Sequence, residues 1–156
     1  MEKPRLDYKR AGSEAFRAMA GLEQYVHQCG LERPLLELVK FRASQINGCA
    51  YCMDMHSKDA RQAGETEQRL YTVSAWRETP FYTERERAAL AWTEAVTRIS
   101  PDSVDDDLYR EVTKHFNEKE LVDLTLAVIT INGWNRLAIT FRTEPGTYQP
   151  RAAKSA

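Results

Sequence analysis

The chain has 156 residues, with 22 Lys+Arg against 23 Asp+Glu and a formal net charge of −1. That length suits one domain able to bury roughly 70% of its unfolded surface without a covalent staple, and the near balance of charge excludes the basic surface that nucleic acid or an anionic membrane would require. No apolar run reaches the roughly 18 residues of a membrane span, no basic-then-apolar leader opens the chain, and three cysteines make an odd number, so the expectation is a cytoplasmic protein in a reducing compartment.

Residues 1–12 are polar, contain Pro4 and predict an extended arm. Ser13 predicts the cap of a helix through Cys29, because Phe16, Met19, Leu22, Val26 and Cys29 recur at helical spacing and Gly30 supplies a stop. His27 and Cys29 close this helix as a last-turn imidazole favoured by the helix dipole and a packed thiol. Pro34 then suits a first helical position, and Leu35, Leu38, Val39, Ala43 and Ile46 form the core stripe of a helix that Asn47-Gly48 ends. Glu37 lies off that stripe, on a second face with Phe41 and Ser44. A helical glutamate is normally solvated, but a short-looped hairpin would turn this face toward the next helix.

That next helix carries two thiols and an imidazole within eight residues. Cys49 and Cys52 are i and i+3, and His56 is i+4 from Cys52, so all three share one face. The face continues through Met53, Ala60 and Ala63, while Asp54, Ser57, Lys58 and Arg61 lie opposite, so the thiols belong to the buried side. Gly64 ends the helix, and Thr66 starts a shorter one with Leu70, Val73 and Trp76 that Pro80 breaks.

Thr83 to Glu86 is a capping-box pattern, followed by Ala89, Trp92, Val96 and Ile99 on one face and a stop at Ser100-Pro101. Ser103 predicts the start of another helix through about Phe116, on which His115 is a structural or surface histidine. Asn117 to Glu120 repeats the capping box before a last helix from Glu118 to Phe141. This helix is apolar nearly all round between Leu121 and Ile131, which predicts a central position or an oligomer interface. Asn132, Asn135 and Arg136 interrupt it; helix-to-helix hydrogen bonding is their expected role, with a place near the thiols or at a subunit contact as the alternatives. From Thr143 onward, Pro145, Gly146 and Pro150 predict a loose tail. The expected architecture is therefore all-α: one domain over residues 1–156, a bundle of six or seven helices, with its core at about 13–142.

Glu37, Cys49-Ala50-Tyr51-Cys52 and His56, at this spacing, resemble the active-site motif of the alkylhydroperoxidase D-like branch of the carboxymuconolactone decarboxylase superfamily. The resemblance is good from Pro34 to Gly64 and continues by helical pattern to about Phe141. It implies a thiol-dependent peroxidase or disulfide oxidoreductase with no metal or organic cofactor. It also implies a hydroperoxide substrate, a reductant such as a lipoyl-bearing or thioredoxin-like protein, and a symmetric homo-oligomer. By the same resemblance Cys52 attacks the peroxide, Cys49 resolves the product and meets the reductant, and Glu37 with His56 moves protons. The most studied members carry a histidine at the position of Tyr51; a phenol neutral at pH 7 cannot switch charge as an imidazole does, so packing is its expected role.

The residues themselves support part of this scheme. The i+4 spacing lets His56 reach Cys52, whereas the helix dipole alone favours Cys49, nearest the N-terminus, as the more acidic thiol. Three alternatives stand beside the peroxidase reading: a structural zinc module using His27, Cys29, Cys49 and Cys52, a lactone decarboxylase, whose chemistry does not need a thiol pair, and a non-catalytic helical assembly protein.

Overall fold

The structure, a computed structural model, describes residues 3–150. Among them are eight α-helices: α1 Tyr8–Ala11, α2 Ser13–Gln28, α3 Arg33–Asn47, α4 Ala50–Gln62, α5 Glu67–Thr72, α6 Glu84–Thr97, α7 Asp106–Val112 and α8 Glu118–Phe141. A 3₁₀ helix, Val73–Glu78, continues α5. Seven α-helices match the expected set, and the eighth is α1, inside the segment predicted as an arm. Asp7 explains it: its Oδ1 accepts from the backbone N–H of Lys9 at 3.1 Å and of Arg10 at 3.3 Å, satisfying donors that open a helix.

Both expected capping boxes are present, at Thr83/Glu86 and Asn117/Glu120. Several boundaries differ, among them that α7 ends at Val112 rather than near Phe116. The cap of α2 is Gly12, and Ser13 is already helical. The helix expected to reach Ile99 stops at Thr97 and leaves Ile99 exposed. Ser103 does not start α7, because its hydroxyl accepts from Ser100 N–H at 2.7 Å; Asp105 caps that helix instead, accepting from Leu108 N–H at 2.7 Å.

The central helix is α3, which packs against α4, α6 and α8. Leu36 and Val39 face a large apolar cluster shared with Val26, Ala89, Val112, Leu124 and Val128. Leu38 and Phe41 face a second cluster with Leu70, Val73, Trp76 and Leu90. A smaller third cluster, Ala43, Cys49, Cys52, Ile131 and Ala138, encloses the thiols between α3, α4 and α8. At about 1.5–3 kcal/mol for each fully buried large apolar side chain, the first two clusters dominate the core and hold α3 rigidly. The all-round apolar sequence of α8 leads to a mixed outcome: Leu124, Val128 and Ile131 are buried, but Val122, Ile129 and Ile139 are exposed.

No helix among the described residues is long and apolar enough to cross a membrane.

Candidate active site

The turn between α3 and α4 places the thiols. Gly48 adopts the left-handed conformation with φ of 70°, which a side chain would strain. Its N–H donates to Gln45 C=O at 3.2 Å, and the N–H of Cys49 reaches back to Ser44 C=O at 3.0 Å, a Schellman closure of α3. Cys49 then caps α4: its Sγ accepts from Cys52 N–H at 3.4 Å. The sequence expectation placed Cys49 within the thiol helix, but the residue ends one helix and opens the next. Cys49 and Cys52 are joined as a disulfide with their Cα atoms 5.4 Å apart, and Cys29 is a free thiol. The Asn cluster of α8 braces this turn. Asn47 Nδ2 donates to Asn132 Oδ1 at 2.9 Å and to Asn135 Oδ1 at 2.8 Å, and Asn135 Nδ2 donates to Ser44 Oγ at 3.1 Å. Arg136 donates to Asn132 Oδ1 at 2.9 Å.

Glu37, expected as a solvated residue on composition and as a site residue by resemblance, is 2% exposed. Its Oε2 lies 2.8 Å from Nδ1 of His56, which is also buried. Burial pushes the Glu37 carboxyl up, but the hydrogen bond and charge of His56, with the charge of Lys40, outweigh it and hold the carboxyl below its ordinary range. An ionised carboxylate only accepts, so Nδ1 carries the hydrogen and Nε2 is the free basic nitrogen of the neutral ring.

Cys52, His56 and Glu37 line one cavity of about 410 Å³. Cys49 lines another, of about 290 Å³, with Ile139, Arg142 and Thr143. Tyr51 borders both.

Among the residues of the first cavity not anticipated as site residues from sequence are Glu23, Asp59, Trp134 and Tyr148. Glu23 forms an ion pair with Lys40, which is fully buried on α3, and lies 3.2 Å from His27 Nε2. Trp134 Nε1 donates to its other oxygen at 3.0 Å. Burial raises the Glu23 carboxyl, yet His27 and Lys40 pull it down to about 2. Asp59 lies one turn beyond His56 and accepts from the Tyr148 hydroxyl at 2.8 and 2.9 Å. Only Asp59 carried a local signal, its i+3 spacing from His56; the others arrive from α2, α8 and the C-terminal segment.

That segment is not loose where described. Lys58 Nζ donates to Tyr148 C=O at 3.0 Å, and Gly146 N–H donates to Asp54 Oδ2 at 3.0 Å, strapping residues 146–148 across α4. The rest of the predicted tail, residues 151–156, and residues 1 and 2 of the predicted arm lie outside the described residues.

The four residues of the zinc alternative do not converge: His27 sits on Glu23, Cys29 packs against the first apolar cluster, and Cys49 and Cys52 belong to the third. Glu37, His56 and Asp59 bring three ligand-type atoms within 4.8 Å of one another. Glu37 and His56 bond each other, and Asp59 accepts from the Tyr148 hydroxyl. His115, in the turn after α7, lies 3.5 Å from Glu111 and lines neither thiol cavity.

The family model described as "Carboxymuconolactone decarboxylase family" matches residues 13–95. The uncharacterized protein YdfG of Bacillus subtilis (strain 168) is 45% identical over 135 residues, 86% of this chain and 92% of that protein. A crystal structure of an Agrobacterium tumefaciens protein of unknown function, described as a candidate antioxidant defence protein AhpD, is 46% identical with a TM-score of 0.89 over 94% of this chain and 100% of that one. An uncharacterized peroxidase-related protein from Silicibacter sp. TM1040 shares the fold at 22% identity, with a TM-score of 0.76 over 86% of this chain and 72% of its own. With the disulfide-linked Cys49-X-X-Cys52 and the Glu37–His56 contact in place, the chain belongs to the carboxymuconolactone decarboxylase family, as an alkylhydroperoxidase D-like member.

Proposed function

We propose that this protein is a thiol-dependent hydroperoxide reductase. The observation that carries the reading is the division of the thiol pair: Cys52 opens on the cavity that holds His56 and Glu37, whereas Cys49 opens on the other. In the reduced enzyme, Nε2 of His56 takes the Cys52 proton while Glu37 stabilises the imidazolium. The Cys52 thiolate attacks the hydroperoxide and becomes a sulfenic acid, which condenses with Cys49 to give the disulfide and water. A dithiol reductant, of the lipoyl-bearing or thioredoxin-like kind, then reaches the pair from the Cys49 side. Lactone decarboxylation, suggested by the family name, leaves the thiol pair without a role. Assembly as a homo-oligomer is supported by the exposed Val122 and Ile129 on α8, and the mass in solution reads that part of the proposal.

The test counts free thiols and bound zinc in the reduced protein before and after about one equivalent of an organic hydroperoxide, followed by peptide mapping. Loss of two thiols as a Cys49–Cys52 bridge, with Cys29 still reduced and no zinc bound, is expected. A bridge to Cys29, or stoichiometric zinc, overturns the reading. Cys52→Ser should lose turnover, while Cys49→Ser should consume about one equivalent and leave a trappable sulfenic acid on Cys52. Trapping it on Cys49 of the Cys52→Ser protein would reverse the two roles.

A further inference from the structure

A hydroperoxide reduction has two proton problems, and the Glu37–His56 pair addresses one. The thiol must lose a proton to attack. The alcohol half of the peroxide leaves as an alkoxide, a base about as strong as hydroxide, and must gain one as the bond breaks. In the cavity of Cys52 the phenol of Tyr148 sits on the carboxylate of Asp59, 2.8 and 2.9 Å from its two oxygens. Asp59 has an oxygen within 4.8 Å of a ring nitrogen of His56. The strap across α4 fixes the phenol there, through Lys58 Nζ on Tyr148 C=O at 3.0 Å and Gly146 N–H on Asp54 at 3.0 Å.

Resting on the peroxidase reading, we propose that Tyr148 is the catalytic residue that protonates the leaving alkoxide, and that Asp59 is a positioning residue that orients the phenol and returns its proton from His56. Burial, then the hydrogen bond and charge of Asp59, hold the Tyr148 phenol well above its usual range, so it keeps its proton at neutral pH until a stronger base forms beside it. The hydroxyl hydrogen needs only to turn about the Cζ–Oη bond from Asp59 to the leaving oxygen.

The step balances. The Cys52 sulfur attacks the terminal peroxide oxygen; the S–O bond forms as the O–O bond breaks, oxidising the sulfur by two electrons and reducing the peroxide. The thiol proton rests on His56 Nε2. Tyr148 gives its proton to the alkoxide, and the phenolate regains the thiol proton from the imidazolium by way of Asp59. Thiol plus hydroperoxide becomes sulfenic acid plus alcohol, with no other reactant.

A leaving-group comparison tests this. The reduced full chain and its Tyr148→Phe variant are each mixed with tert-butyl hydroperoxide, whose alkoxide needs a proton, and with peracetic acid, whose acetate does not. The rate of single-turnover thiol loss is read for each. The ratio of the alkyl hydroperoxide rate to the peracid rate is expected to fall at least about tenfold in Tyr148→Phe, at the low end of general-acid contributions. Asp59→Asn should shift the ratio in the same direction by less, and decides the matter if Tyr148→Phe melts below assay temperature. Equal slowing with both oxidants means that Tyr148 only shapes the cavity and overturns the inference, as does an unchanged ratio. A parent protein that loses no thiols to either oxidant overturns the peroxidase reading itself, a separate and recognisable failure.

Discussion

Two buried carboxylates, Glu37 on α3 and Glu94 on α6 packed against it, have opposite surroundings. Glu37 faces a titratable imidazole, 2.8 Å away, inside the cavity that Cys52 shares. Glu94 of α6 faces permanent cations: Arg42 Nη2 at 2.6 Å and Arg77 Nη1 at 2.6 Å, with the Trp76 indole N–H at 3.1 Å. Both carboxyls lie below their ordinary range, because in each case these partners outweigh the upward push of burial. A depressed carboxyl by itself therefore does not mark chemistry. A guanidinium never gives up its proton in this setting, so Glu94 ties α6 to α3 and to the 3₁₀ helix and moves nothing. An imidazole exchanges its proton near neutral pH, so Glu37 can serve as the fixed end of a relay.

The sharpest way to separate the two sites is to remove the brace. Glu94→Ala leaves Arg42, only 11% exposed at its side chain, without its counter-charge, and a loss of about 3–5 kcal/mol in unfolding free energy is expected. Denaturant unfolding measures it, while single-turnover thiol oxidation of the folded fraction should keep the parent rate. A slowed thiol reaction in stable protein would merge the two sites and break the comparison.

Acid brings the next effect in size. Glu23, Glu37 and Glu94 all have folded pKa values below their unfolded ones, so the stability they contribute is complete above the ordinary carboxyl value and is lost as pH falls through the folded values. Glu23, at about 2 against an ordinary 4.5, sets the lower end and accounts for about 3 kcal/mol on its own. Stability measured from neutral pH downward should hold until about pH 4.5 and then fall, and Glu23→Gln should flatten that fall. A loss beginning at the histidine range instead would make the imidazoles the acid-sensitive groups.

The smallest effect in free energy carries the most about function. Glu37→Gln keeps an acceptor for His56 Nδ1–H but removes the charge that stabilises the imidazolium. Thiol oxidation should slow at least about tenfold at neutral pH, equivalent to about 1.4 kcal/mol of barrier, and recover in part as pH approaches the free thiol value of about 8.5. The melting temperature should fall only by the share of stability that the Glu37 charge contributes, because no apolar contact is lost. A variant that reacts like its parent makes Glu37 a second brace like Glu94.

Legibility followed the range of the interactions. Thr83 with Glu86 and Asn117 with Glu120 satisfy helix donors within three residues, so both starts could be read directly. Ser103 has the residue type of a cap, but its hydroxyl accepts from the Ser100 N–H and the Asp105 carboxylate caps α7 instead, a choice that residue type does not resolve. Asn132 and Asn135 bridge α8 to Asn47 and Ser44, which is helix-to-helix hydrogen bonding and also a place beside the thiol turn, whereas Arg136 bonds Asn132 within α8. The burial of Lys40 had no signal in the sequence, because its partner Glu23 lies 17 residues away on another helix.

By itself the sequence determined the all-helical class, most helix ends and the placing of Cys52 and His56 on the buried side of one helix, because caps, stops and 3.6-residue periodicity act within a turn or two of chain. It also carried the Glu37-CxxC-His56 spacing by which the family is recognised. Only the tertiary structure decided that α3 packs between α4, α6 and α8, that Cys49 and Cys52 open on different cavities, and that Tyr148 returns from 89 residues away to sit on Asp59. Those outcomes depend on which buried polar groups meet across helices once water is expelled, and a group far along the chain becomes a neighbour only when the apolar clusters have fixed the helices in place.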